Sequence, residues 1–377
     1  MTDHTISSEP IRTSLLDLEG LGFKPFFRSQ LAELPPDTVP ARVAEERRGW
    51  YGLLGCDAPS ATLSPELGRR ATSRLDLPAV GDWVAVAQAN DDEHRIVGVF
   101  ERSTEFVRRA SGKRHEPQVV AANVDTVAVV VALTEEAEWT ARARRAASPR
   151  RIERYLLAIR QSGAQPLVLL NKRDVCPDQS AALQRVSAAA RGVPVVSVSA
   201  HTGEGLEQLE DHLAAGDTFA LVGMSGVGKS TLINRLIGDE VARASEVRVA
   251  DQRGRHTTSH RELHQMPGGA LLLDTPGMRE LGLWNDADHS ADAAADEVFG
   301  EIAVHAEQCR YRDCTHQGEP GCAVRDALSA GELEDERVES YVDIQRELST
   351  SKAEALQAKR RWERDIARAS RRLRKLR

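Results

Sequence analysis

The sequence predicts a multidomain protein with a small N-terminal β-barrel, a central α/β domain built on a doubly wound sheet, and a mostly helical C-terminal region. The first observation is length, because 377 residues are too many for one compact core when a domain commonly holds roughly 100–200 residues. The second is a change of pattern, from short alternating strands to nearly continuous apolar runs that alternate with helical stretches. The third is a group of cysteine and histidine residues just before a helical C-terminus.

Composition is that of an ordinary globular protein. Hydrophobic residues make up 41% and charged residues 28% of the chain, which excludes a wholly disordered chain, a collagen and a disulfide scaffold. The longest wholly apolar run, Val127–Leu133, is far shorter than the ~20 residues of a membrane helix. Neither a secretory nor a transit peptide is visible at the start of the sequence. We therefore expect a cytoplasmic monomer with no membrane partner.

Residues 1–38 are predicted to form an N-terminal extension, and residues 39–115 a β-barrel. Pro35, Pro36 and Pro40 indicate a linker between the two. Short alternating segments follow, separated by Gly, Pro and Asp; these are Arg48–Leu54, Gly81–Ala87 and Arg95–Phe100. Several short strands in a small region are typical of a barrel. The pattern leaves open whether the barrel is an OB-fold or an SH3-like barrel.

Residues 116–300 are predicted to form the α/β domain. Short apolar runs are expected of parallel strands buried on both faces. The runs are Val127–Leu133, Pro166–Leu170, Val195–Val198, Phe219–Val222 and Ala270–Leu273. Helical stretches lie between them, at Arg151–Gln161, Ala181–Ala190, Leu206–Leu213 and Lys229–Ile237. This alternation indicates a doubly wound sheet.

The segment Gly223–Ser230 matches the phosphate-loop pattern G-x-x-x-x-G-K-S/T, between a predicted strand and a predicted helix. Glycines let backbone N–H groups turn towards phosphate oxygens at the positive end of the helix. Lys229 would reach the β- and γ-phosphates, and the Ser230 hydroxyl would bind Mg²⁺. The strand and the helix argue against a chance glycine-rich turn. The expected nucleotide contacts are Gly223, Met224, Ser225, Gly226, Val227, Gly228, Lys229, Ser230 and Thr231.

A second phosphate-reading motif, Asp274-Thr-Pro-Gly277, follows the predicted strand Ala270–Leu273. An acid at the carboxyl end of a neighbouring strand can hold Mg²⁺ through water, and the Gly277 N–H can bind the γ-phosphate. A D-x-x-G pattern alone is weak. Its place after Lys229, at the end of a buried strand, strengthens the prediction.

The four residues after the run Pro166–Leu170 indicate which base is bound. Asn171, Lys172, Arg173 and Asp174 form the N-K-x-D pattern of Ras-like GTPases. The Asp174 carboxylate can accept hydrogen bonds from N1–H and the 2-amino group of guanine, and adenine offers neither donor. One hydrogen bond to a charged group is typically worth ~1.5–3 kcal/mol, so such a pair could dictate base choice. The aliphatic stem of Lys172 would lie along the base.

The order of the motifs is unusual. Ser199 and Ala200 follow the run Val195–Val198 and resemble the S-A motif whose backbone contacts the guanine oxygen. In a Ras-like chain N-K-x-D lies after the phosphate loop, but here Asn171 precedes Gly223. One sheet can still form if the chain is circularly permuted. The sequence therefore predicts a circularly permuted Ras-like GTPase domain that binds GTP and GDP.

Residues 301–377 are predicted to form a zinc-binding domain that ends in a basic helix. The pattern is C-x₄-C-x-H-x₅-C, and its ligands are Cys309, Cys314, His316 and Cys322. Three thiolates and one imidazole suit tetrahedral Zn²⁺ and leave no open position, which favours one structural ion. Free buried thiols beside an incidental histidine are the alternative. Cys56 and Cys176 are expected to be ordinary small apolar residues.

Charge is unevenly distributed along the chain. The net charge is −7, but Lys352–Arg377 holds eleven Lys or Arg against three acids, so this tail carries +8 and the preceding residues −15. A basic helix either docks by its apolar side or contacts nucleic acid through its basic faces. Arg108–His115 and Arg253–Arg261 are further basic segments. The acidic average is therefore compatible with an RNA partner.

Taken in order, these motifs resemble the ribosome small-subunit-dependent GTPase A family of circularly permuted GTPases. The resemblance covers roughly residues 40–345 and includes Arg255–Leu263. It implies an N-terminal OB-fold, a central permuted GTPase domain and a C-terminal zinc domain. It also implies binding to the small ribosomal subunit and its rRNA, late in maturation, with GTP hydrolysis stimulated by that subunit. Segment 134–150 is longer than the resemblance leads us to expect.

The catalytic set is predicted in part. A switch threonine should complete the Mg²⁺ shell, and we favour Thr258 over Thr257. Met278 stands where Ras-like enzymes often carry Gln, and a thioether cannot orient water by a strong hydrogen bond, so slow intrinsic hydrolysis is expected. His256 is the best internal candidate for orienting the water, as the resemblance also implies; a histidine that only packs the switch is the alternative. The predicted catalytic set is Lys229, His256, Thr258, Asp274 and Gly277.

Two other functions are open to this sequence. One is an RNA-binding scaffold in which the barrel and the zinc region work and the nucleotide site only modulates affinity. The other is an ATP-dependent enzyme with the same phosphate loop, which Asn171 and Asp174 disfavour. Substitution of Asp274 or Lys229 distinguishes a scaffold from a GTPase switch, since only the switch depends on turnover.

Overall fold

The computed structural model describes residues 15–47, 49–90, 93–109, 117–133, 148–176, 179–238, 262–274 and 291–350, together with positions 353 and 357. The strands of these ranges are β1 (Thr38–Arg47), β2 (Trp50–Leu54), β3 (Ser60–Leu63), β4 (Trp83–Asn90), β5 (Glu93–Val99), β6 (Glu105–Arg109), β7 (Pro117–Ala122), β8 (Thr126–Ala132), β9 (Gln165–Asn171), β10 (Val195–Ser197), β11 (Thr218–Val222), β12 (Glu262–Gln265) and β13 (Leu271–Asp274). The helices are α1 (Leu15–Gly20), α2 (Pro25–Arg28), α3 (Pro65–Arg70), α4 (Pro149–Gln161), α5 (Ser180–Ala190), α6 (Leu206–Glu210), α7 (Lys229–Ile237), α8 (Asp292–Val298), α9 (Gly300–Ala306), α10 (Ala323–Ser329) and α11 (335–350). None of the described helices combines the length and the apolar character that crossing a membrane requires.

The N-terminal barrel has the strand order β1-β2-β3-β5-β4 and is closed by pairing of β1 with β4. All pairs are antiparallel except β3 with β5. Five strands in this order form an OB-fold, which confirms the predicted barrel and decides between its two forms. Its interior is filled by residues such as Val43, Val84 and Ile96, all fully buried.

The prediction that Pro40 belongs to a linker is wrong, because this residue lies buried inside β1. Pro40 pairs with Ala85 of β4, whereas pairing of β1 with β2 begins only at Arg42. At this point β1 therefore has one neighbouring strand, and the missing N–H of proline leaves no partner group unsatisfied.

The central sheet confirms the predicted permuted topology. Its strand order is β10-β9-β8-β11-β13-β12, with the first five strands parallel and β12 antiparallel to β13. Because parallel strands point the same way, Asn171, Ser197, Val222 and Asp274 end their strands at one edge of the sheet. The motifs predicted to bind the base and the phosphates thus meet at this edge, although the chain order is reversed.

Both faces of the central sheet are covered, which explains why its strands are continuously apolar. Along β8, Val127, Val129 and Val131 enter one core with α4 and α5. The alternate residues Ala128 and Val130 enter a second core with α6 and α7.

The described part of the N-terminal extension, from residue 15, packs between the barrel and the central sheet. Phe23 and Phe27 of this segment contact the buried ring of Trp83 in β4, with ring centroids 4.7 and 6.0 Å away. Lys24 then forms ion pairs with Asp125 and Asp217, at 2.6 and 2.7 Å. These two aspartates precede β8 and β11, at the edge of the sheet opposite to the nucleotide motifs.

The C-terminal helices are fixed to the central domain by a buried charge cluster. Arg337 of α11 donates through Nη1 to Glu153 of α4 at 2.6 Å, and through Nε to Glu301 of α9 at 2.7 Å. Its Nη2 donates to the carbonyl of Val298, and the guanidinium lies 4.5 Å from the ring centroid of Phe299. The basic tail beyond residue 350 lies outside the described residues, apart from positions 353 and 357.

Candidate functional site

The phosphate loop joins β11 to α7 as the sequence predicts. Gly223, Gly226 and Gly228 all have positive φ, a conformation that glycine adopts without steric cost. A Cβ on Gly223 would lie 2.5 Å from the carbonyl oxygen of Val130. The Lys229 ammonium donates to the carbonyl oxygens of Gly223 (2.6 Å) and Met224 (2.7 Å), so its side chain folds back over the loop.

One buried side chain connects the base-reading and phosphate-reading segments. Asn171 is 1% exposed; its Nδ2 donates to the carbonyl of Val227 at 2.8 Å, and its Oδ1 accepts from the Ala200 N–H at 2.9 Å. A Cβ on Gly228 would lie 2.2 Å from Asn171 Nδ2, so this approach requires glycine. The structure thus brings together three motifs that are far apart in the sequence.

The carboxylate expected to read guanine is held by a serine. Ser199 Oγ donates to Asp174 Oδ1 at 2.6 Å, and this hydrogen bond lowers the pKa of Asp174. Lys172, just before it, has a φ of +71°, which turns the chain sharply at the end of β9. The Arg173 N–H donates to the carbonyl of Val198 at 3.1 Å. Asp174 therefore lies beside the S-A motif as an exposed, ionised acceptor.

Ser230 and Thr231, in the first turn of α7, are both exposed. Asp274 ends β13, where it pairs with Glu262 of β12. The catalytic prediction is only partly within the described residues. His256, Thr257, Thr258, Gly277 and Met278 lie outside them, as do segment 134–147, positions 110–115 of the first basic segment and Arg253–Arg261.

The cysteine and histidine residues of the C-terminal region form one cluster that could hold a metal ion. The ligand atoms of Cys309, Cys314, His316 and Cys322 all lie within 4.8 Å of one another. Cys309 Sγ lies 3.9 Å from Cys322 Sγ, and His316 Nδ1 lies 3.6 and 3.4 Å from these two sulfurs. Burial lowers the pKa of His316 and so favours the neutral imidazole that can bind a metal.

The loop between the ligands is folded by a carboxylate that the sequence analysis missed. Glu319 accepts hydrogen bonds from the N–H groups of Thr315, Gln317 and Gly318 and from the Thr315 hydroxyl, at 2.5–3.0 Å. These bonds lower the pKa of Glu319. His316 lies inside this turn with a φ of +59°, so Glu319 holds the backbone that presents the imidazole. The sequence signal that could have revealed this role is an acidic residue between two predicted metal ligands.

Cys56 and Cys176 lie outside this cluster. Cys176 is buried among apolar residues, as predicted. Cys56 is partly buried and lies against the barrel core, where desolvation raises the pKa of its thiol.

Comparison with known proteins identifies the family. A family model described as RsgA GTPase matches residues 99–284. A protein of Syntrophotalea carbinolica named small ribosomal subunit biogenesis GTPase RsgA is 41% identical over 345 residues, 89% of this chain and 91% of the relative. A protein of the same name from Opitutus terrae is 45% identical over 343 residues, 88% of this chain and 90% of the relative.

Two solved structures show the same fold. YjeQ from Thermotoga maritima has a TM-score of 0.56 and 23% identity, covering 82% of this chain and 98% of its own. YloQ, described as a circularly permuted GTPase, has a TM-score of 0.55 and 23% identity, covering 84% and 96%. The sequence relatives, the permuted sheet and the motifs at its edge agree: the chain belongs to the RsgA GTPase family.

Proposed function

We propose that this protein binds GTP at the edge of the central sheet and hydrolyses it to GDP and phosphate during biogenesis of the small ribosomal subunit. The observation that supports this most directly is Asn171, whose side chain joins the phosphate loop to the backbone of the S-A motif. The relatives that match nearly the whole chain are named for GTPase activity and small-subunit biogenesis.

The described residues can be assigned separate roles in phosphoryl transfer. Positioning and charge neutralisation dominate this reaction, because its transition state needs little covalent help. In the proposal, Lys229 and the N–H groups of the phosphate loop neutralise the phosphates, and Asp174 with Ala200 binds guanine. Lys229 must then leave the carbonyls of Gly223 and Met224, to which it donates here.

We assign Mg²⁺ to Ser230 and Asp274 within the described residues. An exposed hydroxyl at the start of α7 and a carboxylate at the end of β13 are oxygen donors at the same edge of the sheet, the donor type that Mg²⁺ prefers. When bound, the ion supplies positive charge to the β- and γ-phosphates. Thr258, Gly277 and the water-orienting role of His256 remain part of the proposal from the sequence.

We assign Zn²⁺ to the four-residue metal cluster, as a structural ion. Tetrahedral bonding at ~2.3 Å to sulfur and ~2.0 Å to nitrogen places ligands roughly 3.5–3.8 Å apart. The separations among Cys309, His316 and Cys322, 3.4–3.9 Å, fit that geometry, and Cys314 lies within 4.8 Å of all three. Three thiolates and one imidazole complete the four positions, so the ion would stabilise the loop without contacting substrate.

The proposed partner is the small ribosomal subunit with its rRNA. We propose that the protein binds it as a monomer in the cytoplasm. The OB-fold supports this, because such barrels bind nucleic acid. We also propose that residues 1–38, 39–115, 116–300 and 301–377 are the folding units of the chain and approach the subunit as such.

Nucleotide and subunit binding test the proposal. GDP should bind more tightly than ADP, and Asp174→Ala should remove this preference while leaving the ADP affinity unchanged. Co-sedimentation with each ribosomal subunit should show binding to the small one with a non-hydrolysable GTP analogue and weaker binding with GDP. Binding that ignored both subunit and nucleotide would contradict the proposal.

Single-turnover hydrolysis with and without small subunits then separates a GTPase switch from a scaffold. Lys229→Ala should abolish the stimulated rate and the cellular role together. A scaffold would keep its cellular role. His256→Ala should reduce the stimulated rate, and an unchanged rate would remove His256 from the catalytic set.

A further inference from the structure

The loop that follows β10, residues 199–205, carries the Ala200 N–H and the Ser199 hydroxyl. Two glycines with positive φ, Gly203 (+88°) and Gly205 (+79°), shape it. Its internal hydrogen bonds are short-range. Ser199 N–H donates to the Glu204 carbonyl and Gly203 N–H to the Ser199 carbonyl, both at 2.8 Å, and Thr202 N–H donates to Ser199 Oγ at 3.0 Å. Glycine raises the conformational entropy that folding must remove, so this loop needs external contacts to hold one geometry.

One external contact comes from the helix that begins with the phosphate loop. Arg235, in the last turn of α7, donates through Nη2 to the carbonyl of His201 at 2.8 Å. The same guanidinium covers Gly203, since a Cβ built there would lie 3.3 Å from Nη2 and 3.5 Å from Cζ. The guanidinium therefore packs closely on Gly203, whose φ of +88° favours glycine.

A second contact closes the loop from the base-reading side. Arg173 Nε lies 3.1 Å from Glu204 Oε1, with both side chains partly exposed. Exposed ion pairs contribute little by themselves. Arg235 differs because it donates to a main-chain carbonyl in the middle of the loop, one residue after Ala200, whose N–H donates to Asn171 Oδ1.

We infer that Arg235 is a positioning residue for guanine recognition, which ties the base-reading loop to the phosphate-binding helix. This inference rests on the proposed nucleotide site. Arg235 touches neither the phosphates nor the base in the proposed arrangement. It acts by holding His201, and hence Ala200 and Ser199, in the geometry in which Ala200 N–H donates to Asn171 and Ser199 Oγ holds Asp174, the carboxylate proposed to bind guanine.

The selective readout is the affinity for guanine relative to adenine. Loss of one hydrogen bond from a charged donor at the surface should raise the Kd of GDP by roughly 5- to 10-fold in Arg235→Ala. The Kd of ADP should stay within about twofold, because adenine does not use the guanine contacts of this loop. In steady-state hydrolysis, KM for GTP should rise by a similar factor, while kcat at saturation stays within about twofold of the wild type.

Three companion variants sharpen the test, each titrated with GDP and ADP by calorimetry. Arg235→Lys, which keeps a charged donor, should recover part of the GDP affinity. Gly203→Ala should weaken GDP binding independently, because alanine is strained at a φ of +88° and its methyl group would crowd the end of the Arg235 guanidinium. Arg70→Ala, an exposed arginine of α3 in the barrel, is the control and should bind both nucleotides like the wild type.

The outcomes are distinguishable. A wild type that does not prefer GDP to ADP would overturn the proposed site and this inference together. A wild type that prefers GDP, with Arg235→Ala unchanged for GDP, would overturn the inference alone. Equal weakening of GDP and ADP would also overturn it, because that result would indicate general damage to α7.

Discussion

Replacing Arg337 by methionine should strongly destabilise the contact between the C-terminal helices and the central domain. Arg337 is 6% exposed and its partner Glu153 only 2%, and the Ser340 hydroxyl is the other described donor to Glu153. Arg337→Met would leave a buried carboxylate without its cation. Removing one partner of a buried ion pair typically costs ~3–5 kcal/mol, mostly through the stranded charge.

The assay is hydrogen exchange of the intact protein, read by mass spectrometry on peptides from α4 and α11. Unfolding of a multidomain chain is not a single transition, whereas exchange reports the opening free energy of each unit. In Arg337→Met that free energy should fall by about 3–5 kcal/mol in both helices. The double variant Glu153→Leu/Arg337→Met should lose less than the single one, because a hydrophobic replacement of both charges removes the stranded carboxylate.

Arg346→Ala is the matched control on α11. Arg346 is paired with Asp343 at 3.5 Å, but both side chains are about 60% exposed, and such surface pairs contribute ~0–1 kcal/mol. If Arg337→Met changed exchange no more than Arg346→Ala does, the argument from the buried carboxylate would be refuted.

Three further predictions concern the other charged and metal-binding groups. Ser199→Ala should remove the hydrogen bond that lowers the pKa of Asp174. In the proposed site guanine binding needs the carboxylate and is lost as pH falls through that pKa, so GDP affinity should be lost at a higher pH than in the wild type, measured by titration between pH 7 and acid. A strong chelator should lower the melting temperature of the C-terminal region and release one equivalent of zinc by elemental analysis, because a structural ion contributes its binding free energy to folding; an unchanged melting temperature would exclude a structural metal. Lys24→Ala should leave Asp125 and Asp217 as uncompensated neighbours and destabilise the docking of the N-terminal segment by about 1 kcal/mol per lost partly exposed pair, seen as faster exchange in residues 15–34, whereas unchanged exchange there would show that the aromatic contacts alone hold the segment.

The central strands could be predicted because burial on both faces leaves a continuous apolar run, as in β8 and β11. The phosphate loop and the metal cluster could also be predicted, since their chemistry requires particular residue types at short, fixed spacing. The edge strand β12 was not predicted, because Glu262–Gln265 is short and holds only one apolar residue, Leu263. Such a strand is defined by its neighbours, here β13 and the single pair between Glu45 of β1 and Glu262.

The charged residues of the core could not be predicted at all. Glu153 and Arg337 are 184 positions apart, and each sits in a helix whose other charges are solvated. Local pattern assigns such residues to the surface. Their burial depends on which helix faces meet, which only the packing of the domains decides. The same limit applies to Arg235. It donates to a main-chain carbonyl, and every residue type has one, so the sequence does not reveal the contact.

Circular permutation offers a physical reason for this buried cluster. In an unpermuted Ras-like chain, the strand equivalent to β13 would continue through a helix into the strand equivalent to β8. Here β8 instead follows the barrel, and the chain leaving β13 leads to α8 and the C-terminal helices. The missing covalent connection must be replaced by contacts between α8 and α4, the helix that follows β8. Ala294 and Ala295 of α8 share a core with α4, and Arg160 pairs with Glu297 at 3.0 Å. Arg337 adds a buried link, since one guanidinium binds Glu153 of α4 and the carbonyl that ends α8. A surface ion pair would be too weak for this task, as exposed pairs contribute at most ~1 kcal/mol. The C-terminal helices are therefore part of the structural integrity of the GTPase domain, whatever else they contact.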